Sequence, residues 1–231
     1  MLFRSYDFVA MPIVDEQNHL LGVVTVDDAL DVLAEEATED FQRLGGSEPL
    51  ANPYFAVSVF QMVRKRAVWL LLLFVASLLT STVIRSFEML LTSFVILNAF
   101  IPLITGTGGN DGSQTVTTVI RAIAVDEVRP NDVGRAWRRE VSVGLILGLF
   151  LGLVGLVVAA LLGGDLIIGV VVGLTLPLVV IWSNTIATLV PMAAERLNID
   201  PTVISAPMIT TIVDASALLI YFLIARLVLG L

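Results

Sequence analysis

Residues 8 to 14 (FVAMPIV) and 20 to 26 (LLGVVTV) are short β-prone runs separated by Asp15, Glu16, Gln17 and Asn18, which predicts a hairpin. The period then changes. Leu30, Leu33, Ala37, Phe41 and Leu44 recur at helical spacing, with Asp27 as the expected N-cap and Gly45 and Gly46 as the stop. Residues 47 to 53 read as a linker, and an amphipathic stretch from Tyr54 ends in the basic run Arg64, Lys65 and Arg66. Beyond Arg66 the alternation gives way to apolar runs long enough to cross a membrane. The expected spans are about 67 to 84, 89 to 124, 141 to 162, 166 to 194, and a fifth starting at Pro201 and ending near Leu231.

The second of these runs is interrupted by Pro102 to Gln114, PLITGTGGNDGSQ. Four glycines and several hydrogen-bonding side chains predict a break in the helix at membrane depth. Non-helical backbone survives there only when buried in protein or lining a watery cavity. Any single glycine is explained by close helix packing. Gly109, Asn110, Asp111, Gly112 and Gln114 together indicate a polar task, because an amide pair and a carboxylate are expensive in hydrocarbon.

Composition agrees with a membrane protein: 57% hydrophobic, 15% charged, mean hydropathy +0.93. The net charge of −8 is segregated, since residues 1 to 48 hold eleven Asp or Glu against Arg4 and Arg43. Of thirteen basic residues, nine (64, 65, 66, 121, 129, 135, 138, 139 and 196) fall on one side of the expected five-span topology, which puts the amino terminus in the cytoplasm and the carboxy terminus outside. No cleavable signal precedes the acidic head. The absence of cysteine excludes a disulfide framework and thiolate chemistry. His19 reads as a solvated turn residue. No Walker pattern or catalytic nucleophile is evident, so neither an ATP-driven pump nor an enzyme is expected, and nothing points to a nucleic-acid partner.

Two acidic features remain. Asp214 is the sole acidic residue of the fifth span, on a face with Pro207, Thr210, Thr211, Ala217 and Tyr221, and an intramembrane carboxylate is a site by default. Thr210 and Thr211 are weaker candidates, because threonine often bonds its own helix carbonyls. Asn98, Asn184 and Thr185 read as interhelical hydrogen-bonding residues. On the helix from Asp27 to Leu44, Asp28, Asp31, Glu35 and Glu39 share one face, with Glu36 and Asp40 on its flank; several carboxylate oxygens together suit a hard divalent cation.

The strings VTVDDALDVLAEEATEDFQRLGG, PLITGTGGNDGSQTVTTVIRAIA and APMITTIVDASALLIYFLIA together resemble the MgtE family of magnesium channels over essentially the whole chain. The resemblance implies an all-α polytopic membrane protein. Residues 1–46 would be the C-terminal part of an α+β CBS domain carrying the acidic helix, 47–66 a linker and connecting "plug" helix, and 67–231 five transmembrane helices of a dimeric pore. An acidic N domain, a first CBS domain and the start of the second would be missing. Asp214 is implied as the central pore carboxylate, and Gly109, Asn110, Gly112 and Gln114 as the pore signature, with Asp111 a second-rank pore position. Asp28, Asp31, Glu36, Glu39 and Asp40, and more weakly Asp7, are implied as ligands of regulatory Mg²⁺. The helical-face pattern selects Glu35 where the resemblance selects Glu36. The implied protein is a homodimer in the plasma membrane that conducts Mg²⁺, gated by cytosolic Mg²⁺ in the complete architecture.

Magnesium sheds its octahedral water shell reluctantly, so one or two carboxylates holding a hydrated ion suit it. A two-fold axis would bring two Asp214 side chains together. A cation-coupled carrier would use the same site with alternating access. An intramembrane aspartyl protease would need Asp111 and Asp214 to share a proton, and Gly-Asn-Asp-Gly around Asp111 does not match the Gly-x-Gly-Asp pattern of such enzymes.

Overall fold

The hairpin forms where the β-prone runs lie. In the computed structural model, which describes residues 6–50 and 52–230, strand β1 (Ala10–Val14) pairs antiparallel with β2 (Leu20–Thr25). The Asp15 carboxylate closes the turn by accepting from the Gln17 and His19 amides, and His19 lies exposed beside it. Helix α1 (Val26–Leu44) follows without a linker. Its N-cap is Thr25 rather than the expected Asp27. The Thr25 hydroxyl accepts from the Asp28 amide while the Asp28 carboxylate accepts from the Thr25 amide and hydroxyl, a reciprocal box that a cap two residues later would forfeit.

The expected connecting helix and first span are one element. After a 3₁₀ turn at Tyr54–Ala56, helix α2 runs unbroken from Val59 to Ser86, started by a second capping box between Ser58 and Gln61. Arg64, Lys65 and Arg66 lie in its second turn, where good helix formers do not interrupt it.

The glycine-rich run is where sequence and structure part. Residues 102–114 are not a break but lie within one continuous helix, α4 (Ile101–Ala124). The irregular backbone sits upstream, in the short helix α3 (Glu88–Ser93) and the 3₁₀ segment Val95–Phe100. Pro102, at the start of α4, is where proline fits a helix, since the first-turn amides lack partners anyway. The glycines are tolerated because neighbouring helices press on them and the helix satisfies its own backbone. The upstream irregularity is stabilised from outside: the fully buried Tyr221 hydroxyl donates to the Leu97 carbonyl at 3.1 Å.

Three long helices complete the chain: α5 (Val133–Gly163), α6 (Leu166–Arg196, capped by Asp165) and α7 (Ala206–Leu229, capped by Ser205). Pro201 opens a 3₁₀ turn at Pro201–Val203, not the last helix itself, because the Asp200 side chain caps that turn and Ser205 caps α7. Among the described residues four helices, α2, α5, α6 and α7, are long and apolar enough to cross a membrane. The polar residues of α4 keep it out of that set.

Helices α4, α6 and α7 pack mutually and hold the core, which includes Ile104, Val116, Val171, Val179, Val213 and Phe222. Helix α5 lies along α6 on a glycine stripe: a Cβ at Gly148 would come within 2.7 Å of the Pro177 Cα, and one at Gly152 within 2.7 Å of the Gly173 carbonyl. Backbones this close exclude any larger residue. Helix α2 packs chiefly on α7, and the Trp69 indole donates to the buried Ser205 hydroxyl at 3.1 Å.

Candidate functional site

The site is built from the glycine face of α4 and the start of α7. Gly109 allows α7 to approach so closely that a Cβ there would meet the Thr210 methyl at 2.7 Å and an Asp214 carboxylate oxygen at 3.4 Å. Gly112 performs the same task against Ser183, Ile209 and Val213, and Gly108 against Val179 and Val213. Thr210 links the two helices. Its hydroxyl lies 3.1 Å from the Ala206 carbonyl of its own helix, 3.4 Å from the Gly109 carbonyl and 2.9 Å from the Ser113 hydroxyl. Thr211 bonds only its own helix, at the Pro207 carbonyl. Asp214 is half-buried beside Gly109 and has no hydrogen-bond or ion-pair partner among the described residues.

The polar residues of the glycine-rich run divide by face. Asn110 and Gln114 are exposed, one turn apart on the outer side of α4, with Thr117 and Thr118 continuing that polar strip. Asp111 points elsewhere. Its charged and polar neighbours are Glu140 of α5 and Ser183 of α6, and its Oδ2 is buried without a hydrogen-bond partner. Asp111 and Asp214 thus occupy different surroundings, which argues against a shared proton.

Of the expected interhelical polar residues, Asn184 is one, accepting from the Thr115 hydroxyl at 2.7 Å and donating to the Glu140 carbonyl at 3.1 Å. Thr185 bonds its own helix and accepts from the Trp137 indole. Asn98 bonds only the local Val95 carbonyl. Sequence reasoning did not single out Ser113 or Ser183, though Ser183 donates to the Gly108 carbonyl at 2.7 Å. Only helix register relative to a neighbour distinguishes these serines. Ala217 and Tyr221, expected on the Asp214 face, are fully buried in the core.

The acidic residues of α1 divide similarly. Asp28 is committed to the capping box; Asp31, Glu35 and Glu36 are exposed; Asp7 lies exposed in the turn ahead of β1. At the C-terminal end Arg43 pairs with both Glu39 and Asp200, joining α1 to the turn before α7. Burial, then the nearby Asp200 and Glu36 charges, push the Asp40 carboxyl up. Burial also raises Asp200, but the Thr202 hydroxyl and amide and the Arg43 guanidinium outweigh it and hold Asp200 below the usual range. Among the described residues no three acidic or histidine side chains gather closely enough to hold a metal.

Because the folded-state value of Asp200 is depressed, its stabilising contribution is present above the unfolded carboxyl value, about 3.9, and is lost as pH falls through the lower folded value. Acidification below about pH 4 should therefore release α1 from the Asp200 turn. Arg43→Gln should do so at neutral pH. Amide exchange over residues 26–44 checks this: exchange should quicken in both cases, and an unchanged rate in Arg43→Gln would show that the pair does not hold α1.

Residues 101–224, which include α4 to most of α7, match the family model MgtE, described as a divalent cation transporter. The chain is 38% identical over 228 residues to a magnesium transporter MgtE of Thermus thermophilus, covering 99% of this chain and 50% of that protein. It is 38% identical to one from Enterococcus faecalis and 34% identical to one from Bacillus subtilis, each over 97% of this chain and 49% of the relative. The chain spans about half the length of these curated relatives. With a family match that begins at the first residue of α4 and takes in Gly109, Thr210 and Asp214, the chain belongs to the MgtE family of divalent cation transporters.

Proposed function

We propose that the protein moves Mg²⁺ across the plasma membrane through a pore on the two-fold axis of a homodimer, lined by α4 and α7 and centred on Asp214. The supporting observation is the strip of exposed polar side chains on α4, Asn110 and Gln114 above all, beside the unpartnered Asp214 of α7. Lipid cannot solvate such a face, so at membrane depth it must line water or meet a second copy. One carboxylate per chain is a thin supply for a dication; two facing each other across an axis repel until a hydrated Mg²⁺ lies between them. The relatives named magnesium transporters support the choice of ion.

In this reading α4 is the second of five spans, since its 24 residues reach about 36 Å at 1.5 Å per residue, more than the hydrocarbon thickness. The basic residues 64–66 and those between α4 and α5 lie in the cytoplasm and the carboxy terminus lies outside. The hairpin and α1 belong to a CBS domain whose acidic helix senses cytosolic Mg²⁺. Glu36, Glu39 and Asp40 do not make a metal site alone, so a regulatory ion there would draw oxygens from Asp200 or from outside the described residues. A carrier with the same site is the second reading, and single-channel steps in planar bilayers would separate a pore from it.

The chain has no cysteine, so the dimer is directly testable. Asn110→Cys should cross-link to a dimer under mild oxidation in membranes, whereas Leu153→Cys, on the exposed outer face of α5, should not. Cross-linking at 153 alone would place the symmetry axis elsewhere.

A further inference from the structure

Where α2 leaves the cytosolic segment, the linker folds back on the helix and encloses a polar niche of about 170 Å³ lined by Leu50, Asn52, Val57, Gln61, Arg64 and Lys65. Most of its donors are uncommitted. Among the described residues neither Arg64 nor its neighbour Arg66 has a hydrogen-bond or ion-pair partner. Lys65 gives one ammonium hydrogen to the Pro49 carbonyl and keeps two. The Gln61 carbonyl is taken by Ser58, which leaves the amide NH₂ free to donate. The niche thus offers two cations and two amides, and among its lining residues no carboxylate.

Its position selects the ligand. Helix α2 has 28 residues, about 42 Å at 1.5 Å per residue, so roughly eight residues exceed the hydrocarbon of a bilayer. The apolar stretch after Arg66 places that excess at the amino-terminal end, with Arg64 and Lys65 at the headgroup level. Continuing from Arg64 along the same helical face, Val68, Leu72, Val75 and Leu79 are all more than half exposed. A cationic niche at the head of an exposed aliphatic track on the same helix has the polarity of one phospholipid. We propose that this niche binds the phosphate of an anionic membrane lipid, phosphatidylglycerol in chemistry, whose acyl chain lies along α2. Arg64 supplies the planar fork suited to phosphate oxygens, and Lys65 and Gln61 close on the other side. The lipid would tie the linker after α1 to the membrane surface at the point where α2 enters it.

The proposal rests on the reading of α2 as a membrane span, and the test separates the two. Trp69, one turn beyond Lys65, is the reporter. The full chain carrying Trp137→Phe and Trp182→Phe, checked for a single symmetric gel-filtration peak, is reconstituted in phosphatidylcholine with either brominated phosphatidylglycerol or brominated phosphatidylcholine as the quenching minority. Brominated phosphatidylglycerol should quench Trp69 with about fivefold higher apparent affinity, the scale of one basic side chain near an anionic surface, and Arg64→Gln/Lys65→Gln should bring the two lipids to parity. Equal quenching in the parent, or a preference that survives the double substitution, overturns the headgroup site while leaving α2 in the bilayer. Complete loss of the preference in millimolar inorganic phosphate reassigns the niche to a free anion. No quenching by either lipid overturns the membrane reading of α2 and the proposal with it.

Discussion

Asp214→Ala should lower Mg²⁺ influx into proteoliposomes by at least about a hundredfold, to near the leak of empty vesicles. Beside a carboxylate at an effective dielectric near 20, a dication at 4 Å gains about 8 kcal/mol, twice the attraction of two unit charges. That attraction offsets the cost of bringing the ion out of bulk water. No other acidic side chain lies on α7, and Thr210 and Thr211 both spend their hydroxyls on helix carbonyls. In the proposed pore, removing the carboxylate therefore leaves oxygen dipoles and no charge. The substitution should not harm insertion, since an aspartate near a helix centre opposes it by about 3 kcal/mol. Asp214→Asn, which keeps size and loses charge, should fail nearly as badly. Wild-type influx through a properly inserted Asp214→Ala protein would remove Asp214 from the pathway.

Much of the fold was legible because burial in a membrane imposes a strong pattern. The hairpin and the acidic helix appear within a few residues of their expected places, since each carries its own period; helices cover the apolar runs but start well away from the expected span limits, at Val59, Ile101 and Val133 rather than near 67, 89 and 141. What failed depended on contacts between elements. Gly108, Gly109 and Gly112 read locally as helix breakers, but in place they are the surface on which α6 and α7 rest, and packing overrides a propensity deficit of about 1 kcal/mol per glycine. The true break, from Phe94 to Phe100, has an unremarkable apolar composition. It is identified by the Tyr221 hydroxyl reaching the Leu97 carbonyl, a contact between residues 124 positions apart. Asp111 adjoins Asn110 and Gly112 yet turns toward Glu140 and Ser183, because one step along a helix rotates the side chain by about 100°. The sequence could place a carboxylate at that depth, but only the register of α4 against α6 says which way it faces.

That register leads to the second large effect, at Gly109. A methyl group there has nowhere to go: its carbon would stand 2.7 Å from the Thr210 Cγ2, well inside contact distance, and 3.4 Å from an Asp214 oxygen. Thr210 cannot swing aside cheaply, since it is β-branched and its hydroxyl is engaged with Ala206, Gly109 and Ser113. Relief requires α7 to move away from α4 and to carry Asp214 with it. Overpacking of this kind costs about 1 to 3 kcal/mol, which the fold can absorb, but in the proposed pore a misplaced carboxylate lowers conduction directly. Gly109→Ala should therefore cut Mg²⁺ influx by about tenfold or more, the equivalent of ~1.4 kcal/mol at the constriction, with little loss of inserted protein. The clash involves one methyl group, so it should be removable. Thr210→Ser deletes that methyl and keeps the hydroxyl, and Gly109→Ala/Thr210→Ser should recover most of the lost influx although each change alone lowers it or leaves it unchanged. If the double variant is as slow as Gly109→Ala, the glycine is needed for something other than the approach of α7, such as access of its own carbonyl to the ion.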